Sequence, residues 1–181
     1  MDEQIISDVE QWLDEVVIGL ELCPFAAKPR REGRVRIAVS HAHDEEALLN
    51  DLQAELERLS DTPAEQLETT LLAIPDMLED FADYNDFLDA VDLWVEHFGW
   101  EGELQVASFH PQYQFADTDS DDPGNLTNRS PWPLLHIIRE ESLEKIIAHY
   151  PDVDAIPERN VKRMKALSAE ERHRLFPYLF G

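Results

Sequence analysis

The chain has 181 residues, 43% of them hydrophobic, which is enough to bury the core of one domain, and no apolar run approaches the eighteen or so residues of a membrane span. Its 39 acids against 15 bases leave a net charge of −24, which argues against a nucleic-acid partner, because phosphate-backbone binding rests on Lys and Arg. A single cysteine, Cys23, excludes an internal disulfide and any multi-cysteine zinc site.

The N-terminus, "MDEQIISDVEQW", is acidic and lacks the basic region of a secretory signal, so a cytoplasmic protein is expected. Ile5, Ile6, Val9, Trp12, Leu13, Val16, Val17 and Leu20 recur at helical spacing, predicting an amphipathic helix over 1–22 that ends at Cys23-Pro24. "KPRREGR" reads as a basic turn. "RVRIAVS" alternates as a half-buried strand over 34–40. Asp44 can cap the next helix, whose apolar face is Leu48, Leu49, Leu52, Leu56 and Leu59. "TTLLAIP" (69–75) is apolar enough for a central strand. A helix follows over about 78–98, with a break expected near "DYND". "LQVASFHP" (104–111) is a third strand, and a long loop spans 111–133. The apolar positions from 134 to 150 do not fall on one helical stripe. A short strand over about 134–139 and a helix opened by Ser142 fit them better. The tail, 151–181, holds two helical patches, with Ser168 and Glu171 spaced as a capping box.

Strands alternating with helices predict a single α/β domain over 1–181. Its sheet is small and four-stranded, mostly parallel or mixed, flanked by helices, with an N-terminal helix and a helical tail. Sites in such sheets lie beyond the carboxyl ends of the strands. That places Ser40, Pro75 and His110 near one rim, from which the long loop departs.

Three metal or redox motifs fail on spacing or context. In "HAHDEE" the acid follows the second His directly, which suits a helix cap better than a metal cluster. "DTDSDDPGNLTN" lacks the Gly and the final Glu of a calcium loop. "LCPFA" follows a helix, whereas thioredoxin-like Cys-Pro turns follow a strand. No metal site is assigned. Cys23 remains either a small buried thiol or a thiolate activated by a neighbouring His or Arg. "HPQYQFAD" sets a His at a strand end, followed by Tyr113 and Gln114 as donors and acceptors. "TNRSPWP" offers an amide, a guanidinium and a hydroxyl at Asn128, Arg129 and Ser130, a set suited to carboxylate or phosphate oxygens.

Together "IGLELCPFA", "ETTLLAIP", "DYNDFLD", "LQVASFHPQYQFA" and "NRSPWPLLHIIREES" resemble a bacterial family of unknown function, domain of unknown function 1415, over about residues 10–150. The resemblance implies no activity. It implies that the shared blocks include Cys23, His110, Tyr113, Gln114, Asn128, Arg129, Ser130, His136, Arg139 and Glu140.

The expectation is an enzyme acting on an anionic small molecule at a His/Arg/Asn/Ser pocket. His110 would be general acid/base, Cys23 the nucleophile if it reaches the same rim, and Asn128, Arg129 and Ser130 the anion holders. Tyr113 and Gln114 would orient the substrate, with His136 and Arg139 behind them. Two alternatives compete. One is a non-catalytic interaction module with an acidic surface, and the other a metal site of His110, Cys23 and His136. The residues name no cofactor and no oligomeric state.

Overall fold

A computed structural model describes residues 1–180, so Gly181, the last residue of the expected tail, lies outside the described residues. Four strands, β1 (Val35–Val39), β2 (Thr69–Ala73), β3 (Leu104–Phe109) and β4 (Leu134–Arg139), form one sheet in the order β1-β2-β4-β3. β1 and β2 are parallel, while β4 runs antiparallel to both β2 and β3. The first three strands therefore share one direction, and β4 lies between two of them. Composition explains the placement. Leu71, Leu72, Ala73, Leu134, Leu135 and Ile137 are buried on both faces, so β2 and β4 take the central positions.

Helices α3 (Glu45–Asp61) and α4 (Phe81–His97) cover one face, packing Leu48, Leu52, Leu56, Tyr84, Phe87 and Val91 on Leu72, Leu135 and Ile137. The opposite face carries α1 (Asp2–Trp12) and the tail, through Val9, Trp12, Met164 and Phe176 on Leu71, Ala73 and Leu134. Asp44 caps α3 by accepting from the Ala47 amide. Arg36, partly exposed on the edge strand β1, forms a two-pronged pair with the buried Glu55 of α3. Among the described residues no helix is long and apolar enough to cross a membrane.

The N-terminal helix differs from a five-turn α-helix over 1–22. It is α-helical to Trp12 and then widens into a π segment, Leu13–Ile18. The wider hydrogen bonds persist beyond it, from the Gly19 amide to the Asp14 carbonyl and from the Leu22 amide to the Val17 carbonyl. The widening keeps Leu13, Val16, Val17 and Leu22 all buried. Gly19 is needed there, since a β-carbon would collide with the Glu15 carbonyl. Glu21 then takes a left-handed backbone (φ 55°), turning the chain into Cys23-Pro24.

Three further expectations are corrected. α4 runs through "DYND" unbroken, because Tyr84 and Phe87 both lie on its buried face and Asp80 caps it through the amides of Ala82 and Asp83. The "KPRREGR" turn contains a short helix, α2 (Ala27–Arg31), and α5 (Glu140–His149) opens at Glu140 rather than Ser142. The tail folds as α6 (Ile156–Ala166), α7 (Ala169–Leu175) and α8 (Pro177–Phe180), with the Ser168–Glu171 capping box formed.

Candidate functional site

Parallel β1, β2 and β3 bring Ser40, Ile74 and His110 to one rim, and β4 begins there. The two ends of the long loop meet over it: the His110 amide donates to the Asn128 carbonyl, and the Asn128 side-chain amide to the Ser108 carbonyl. Tyr84, which falls in the "DYND" stretch where the sequence predicts a helix break, closes the same edge. Its hydroxyl donates to the Leu134 carbonyl (2.6 Å) and accepts from the Phe109 amide (3.1 Å).

The polar side chains expected to face a ligand at this rim are engaged by the backbone. His110 is fully buried between Phe81 and Tyr84. Its Nδ1 accepts from the Gln112 amide, so Nε2 carries the proton and donates to the Leu78 carbonyl. Burial lowers its pKa, and the ring stays neutral. Arg129 donates from Nε to the Tyr113 carbonyl and from Nη2 to the Ser120 carbonyl. Ser130, fully buried, donates to the Trp132 carbonyl, and the Gln114 side chain donates to the Thr118 carbonyl. Tyr113 packs its ring on Phe81 and Phe115. Between the loop's ends, the 3-10 turn Pro123–Asn128 buries Gly124, Asn125 and Leu126. The Asn125 side chain bonds Phe115, Thr118 and Asp119. A β-carbon at Gly124 would crowd Val161 of α6, so the turn is seated on the tail and is not a slack spacer.

His136 and Arg139 do not stand behind His110. β4 runs away from the rim, so Arg139 pairs with Leu104 at the opposite end of β3. Its guanidinium bonds the carbonyls of Leu59, Thr62 and Leu67, fastening the end of α3. His136 sits mid-strand beside the Thr69 hydroxyl, and burial pushes its pKa down to about 4.

Cys23 lies on the other face of the sheet from His110. It packs with the α1 and tail cluster, whereas His110 packs with Phe81 and Tyr84 of the α3/α4 layer. The Cys-His pair is therefore not assembled. The same separation keeps the residues of the His110/Cys23/His136 set apart, and among the described residues no group of three metal-capable side chains occurs.

What Cys23 does line is a cleft of about 460 Å3 between the turn that follows the π segment and α6. Its walls are Ile18, Leu20, Glu21, Cys23, Pro24, Ala27, Tyr150, Arg159, Asn160 and Arg163. The Asn160 amide donates to the Leu22 carbonyl and holds α6 against the turn. Arg159 donates to the Tyr150 hydroxyl (2.8 Å) and lies 5.7 Å from that ring's centre. The nearest acid to Arg163 is Glu21, at 3.7 Å and mostly exposed. Two guanidiniums one helical turn apart, neither closely matched by a carboxylate, contrast with a chain that has no Lys or Arg between Arg58 and Arg129. Desolvation of Cys23 pushes its thiol pKa up, and the amides of Phe25 and Ala26 only partly offset this. The cleft can attract and hold an anion. Its thiol is a neutral wall group at physiological pH.

Sequence reading finds Cys23 through its turn but misses Tyr150, Arg159, Asn160 and Arg163. The one available signal is the density of bases in "ERNVKRMK", which reads equally as the solvated face of a tail helix. Neither the curated proteins nor the solved structures contain a match to this chain. A family model does match, across residues 4–174, and the chain belongs to that family, described as a protein of unknown function (DUF1415).

Proposed function

We propose that the protein binds an anionic, carboxylate- or phosphate-bearing small molecule in the cleft between the Cys23-Pro24 turn and α6. The observation that carries the reading is Arg159 and Arg163 on adjacent turns at a cavity of ligand size, in a molecule otherwise strongly acidic. This sets the anion site away from Arg129, which spends its Nε and one Nη2 donor on loop carbonyls. Cys23 and Tyr150 would shape the pocket. The protein acts in the cytoplasm, in keeping with one unpaired thiol, and its charge disfavours nucleic acid.

The test is a thermal-shift panel of small carboxylates and phosphates at fixed ionic strength, on wild type and on Arg159→Gln/Arg163→Gln. Both arginines are exposed, so the double variant keeps the fold. Stabilisation of wild type that the variant loses supports the reading. Equal response of both proteins, or none by either, overturns it.

A second reading is a non-catalytic module that docks a basic partner. Asp83, Asp86, Asp89, Asp92 and Glu96 are exposed on α4 beside exposed Leu93 and Phe98. Charge reversal at Asp86, Asp89 and Asp92 would then abolish salt-sensitive binding of a Lys/Arg-rich polypeptide. Binding unchanged by that reversal counts against it.

A further inference from the structure

We infer that the cleft selects phosphate monoesters with a compact apolar body over carboxylates; this rests on the anion-binding reading above. The first argument is charge. A carboxylate is matched by one guanidinium fork. Arg159 and Arg163, four residues apart on α6, offer two forks, with β-carbons about 5–6 Å apart for such a pair. A phosphate monoester brings about −1.5 to −2 charges and three acceptor oxygens at pH 7 and so engages both.

Pre-orientation is the second argument. The bond from Arg159 to the Tyr150 hydroxyl uses one Nη2 donor and fixes the fork's direction. Asn160, between the two arginines, is tied to Leu22, so this stretch of α6 cannot swing away without breaking that bond. Holding the donors in place lowers the ordering cost of binding.

The floor is the third. Ile18, Leu20, Pro24 and Ala27 contribute apolar side chains to the lining of the cleft, which suit an organic body rather than a bare ion. Glu21 sets the threshold for entry. Its long contact with Arg163 is exposed, and an incoming dianion displaces it at small cost.

The experiment is calorimetric titration of the full chain with phenyl phosphate, benzoate and inorganic phosphate at one ionic strength. Phenyl phosphate should bind at least about tenfold tighter than benzoate, consistent with one additional charge-assisted contact. It should also exceed inorganic phosphate, which leaves the floor unfilled. Arg159→Gln and Arg163→Gln should each weaken phenyl phosphate about tenfold. Glu21→Gln should strengthen it, with circular dichroism confirming the fold of each variant. Benzoate binding as tightly as phenyl phosphate overturns the phosphate selectivity and leaves the anion site standing. Inorganic phosphate matching phenyl phosphate overturns the apolar-body requirement. No binding by any of the three overturns both this inference and the anion-binding reading.

Discussion

Replacing Tyr84 with Phe removes one oxygen and tests how the sheet's functional-looking rim is held. The hydroxyl stands at the end of the β3–β4 ladder, where Phe109 and Leu134 are register partners. It serves as acceptor for one strand and donor for the other. Tyr84 and Leu134 are fully buried, so the Leu134 carbonyl loses its hydroxyl donor with no water to replace it. A buried backbone group left unmatched costs about 1–3 kcal/mol, and the half-buried Phe109 amide adds part of a second such loss. The total is about 2–3 kcal/mol, or roughly 4–12 °C in Tm for a chain of this size. Urea and thermal unfolding of wild type and Tyr84→Phe measure it, with amide exchange at Phe109 as a local probe. The denaturant slope should be unchanged, because the same surface is exposed on unfolding. A Tyr84→Phe protein within about 0.5 kcal/mol of wild type, with Phe109 still protected, would refute the reasoning.

The folded pKa of His136, about 4, lies below the ordinary 6.5, so the unfolded chain takes up this proton first as pH falls. The stability it contributes is complete above pH 6.5 and is lost progressively toward pH 4. Wild type should therefore lose about 3 kcal/mol relative to His136→Gln across that window, and a pH-independent difference would contradict the assignment. Arg139→Lys should cost about 2 kcal/mol in chemical unfolding, since lysine is one bond shorter than the Nη2 that meets the carbonyls of Leu59, Thr62 and Leu67 and has no counterpart to the Nε donor on Leu67. An unaltered midpoint would show that the fork is dispensable. Alkylation of Cys23 by iodoacetamide should be slower at pH 7 than that of a free thiol, and should accelerate only above the usual thiol range, because burial raises its pKa. Faster modification than a free thiol at pH 7 would mark an activated thiolate.

Local pattern carried much of the architecture. β1, β2 and β3 follow from short apolar or alternating runs, and Asp44 and the Ser168–Glu171 box mark helix starts by side chains that act within one turn. What pattern could not convey is direction and depth. β4 reads as a strand, but nothing in "LLHIIR" says that it inserts antiparallel between β2 and β3, which sends Arg139 to the far end from His110. The π segment is invisible to a period of 3.6, because its widening accommodates adjacent buried residues, Val16 and Val17.

The polar loop ends were legible as special, and the structure gives their side chains backbone partners. A long connection folded over a sheet rim has many backbone groups to satisfy, and Asn128, Arg129, Ser130 and His110 satisfy them. Donor-rich residues suit a carbonyl as well as a ligand oxygen, so residue type alone does not separate the two. The cleft itself joins Cys23 to residues more than a hundred positions later, and only the docking of α6 on the turn brings them together.

The most direct measurement is amide and side-chain chemical-shift mapping of the full chain titrated with phenyl phosphate. The account predicts saturable shifts at Cys23, Tyr150, Asn160 and the guanidinium signals of Arg159 and Arg163, with His110, Arg129 and Ser130 unmoved. Saturable shifts centred on His110, Arg129 and Ser130, with the α6 cleft silent, would contradict it.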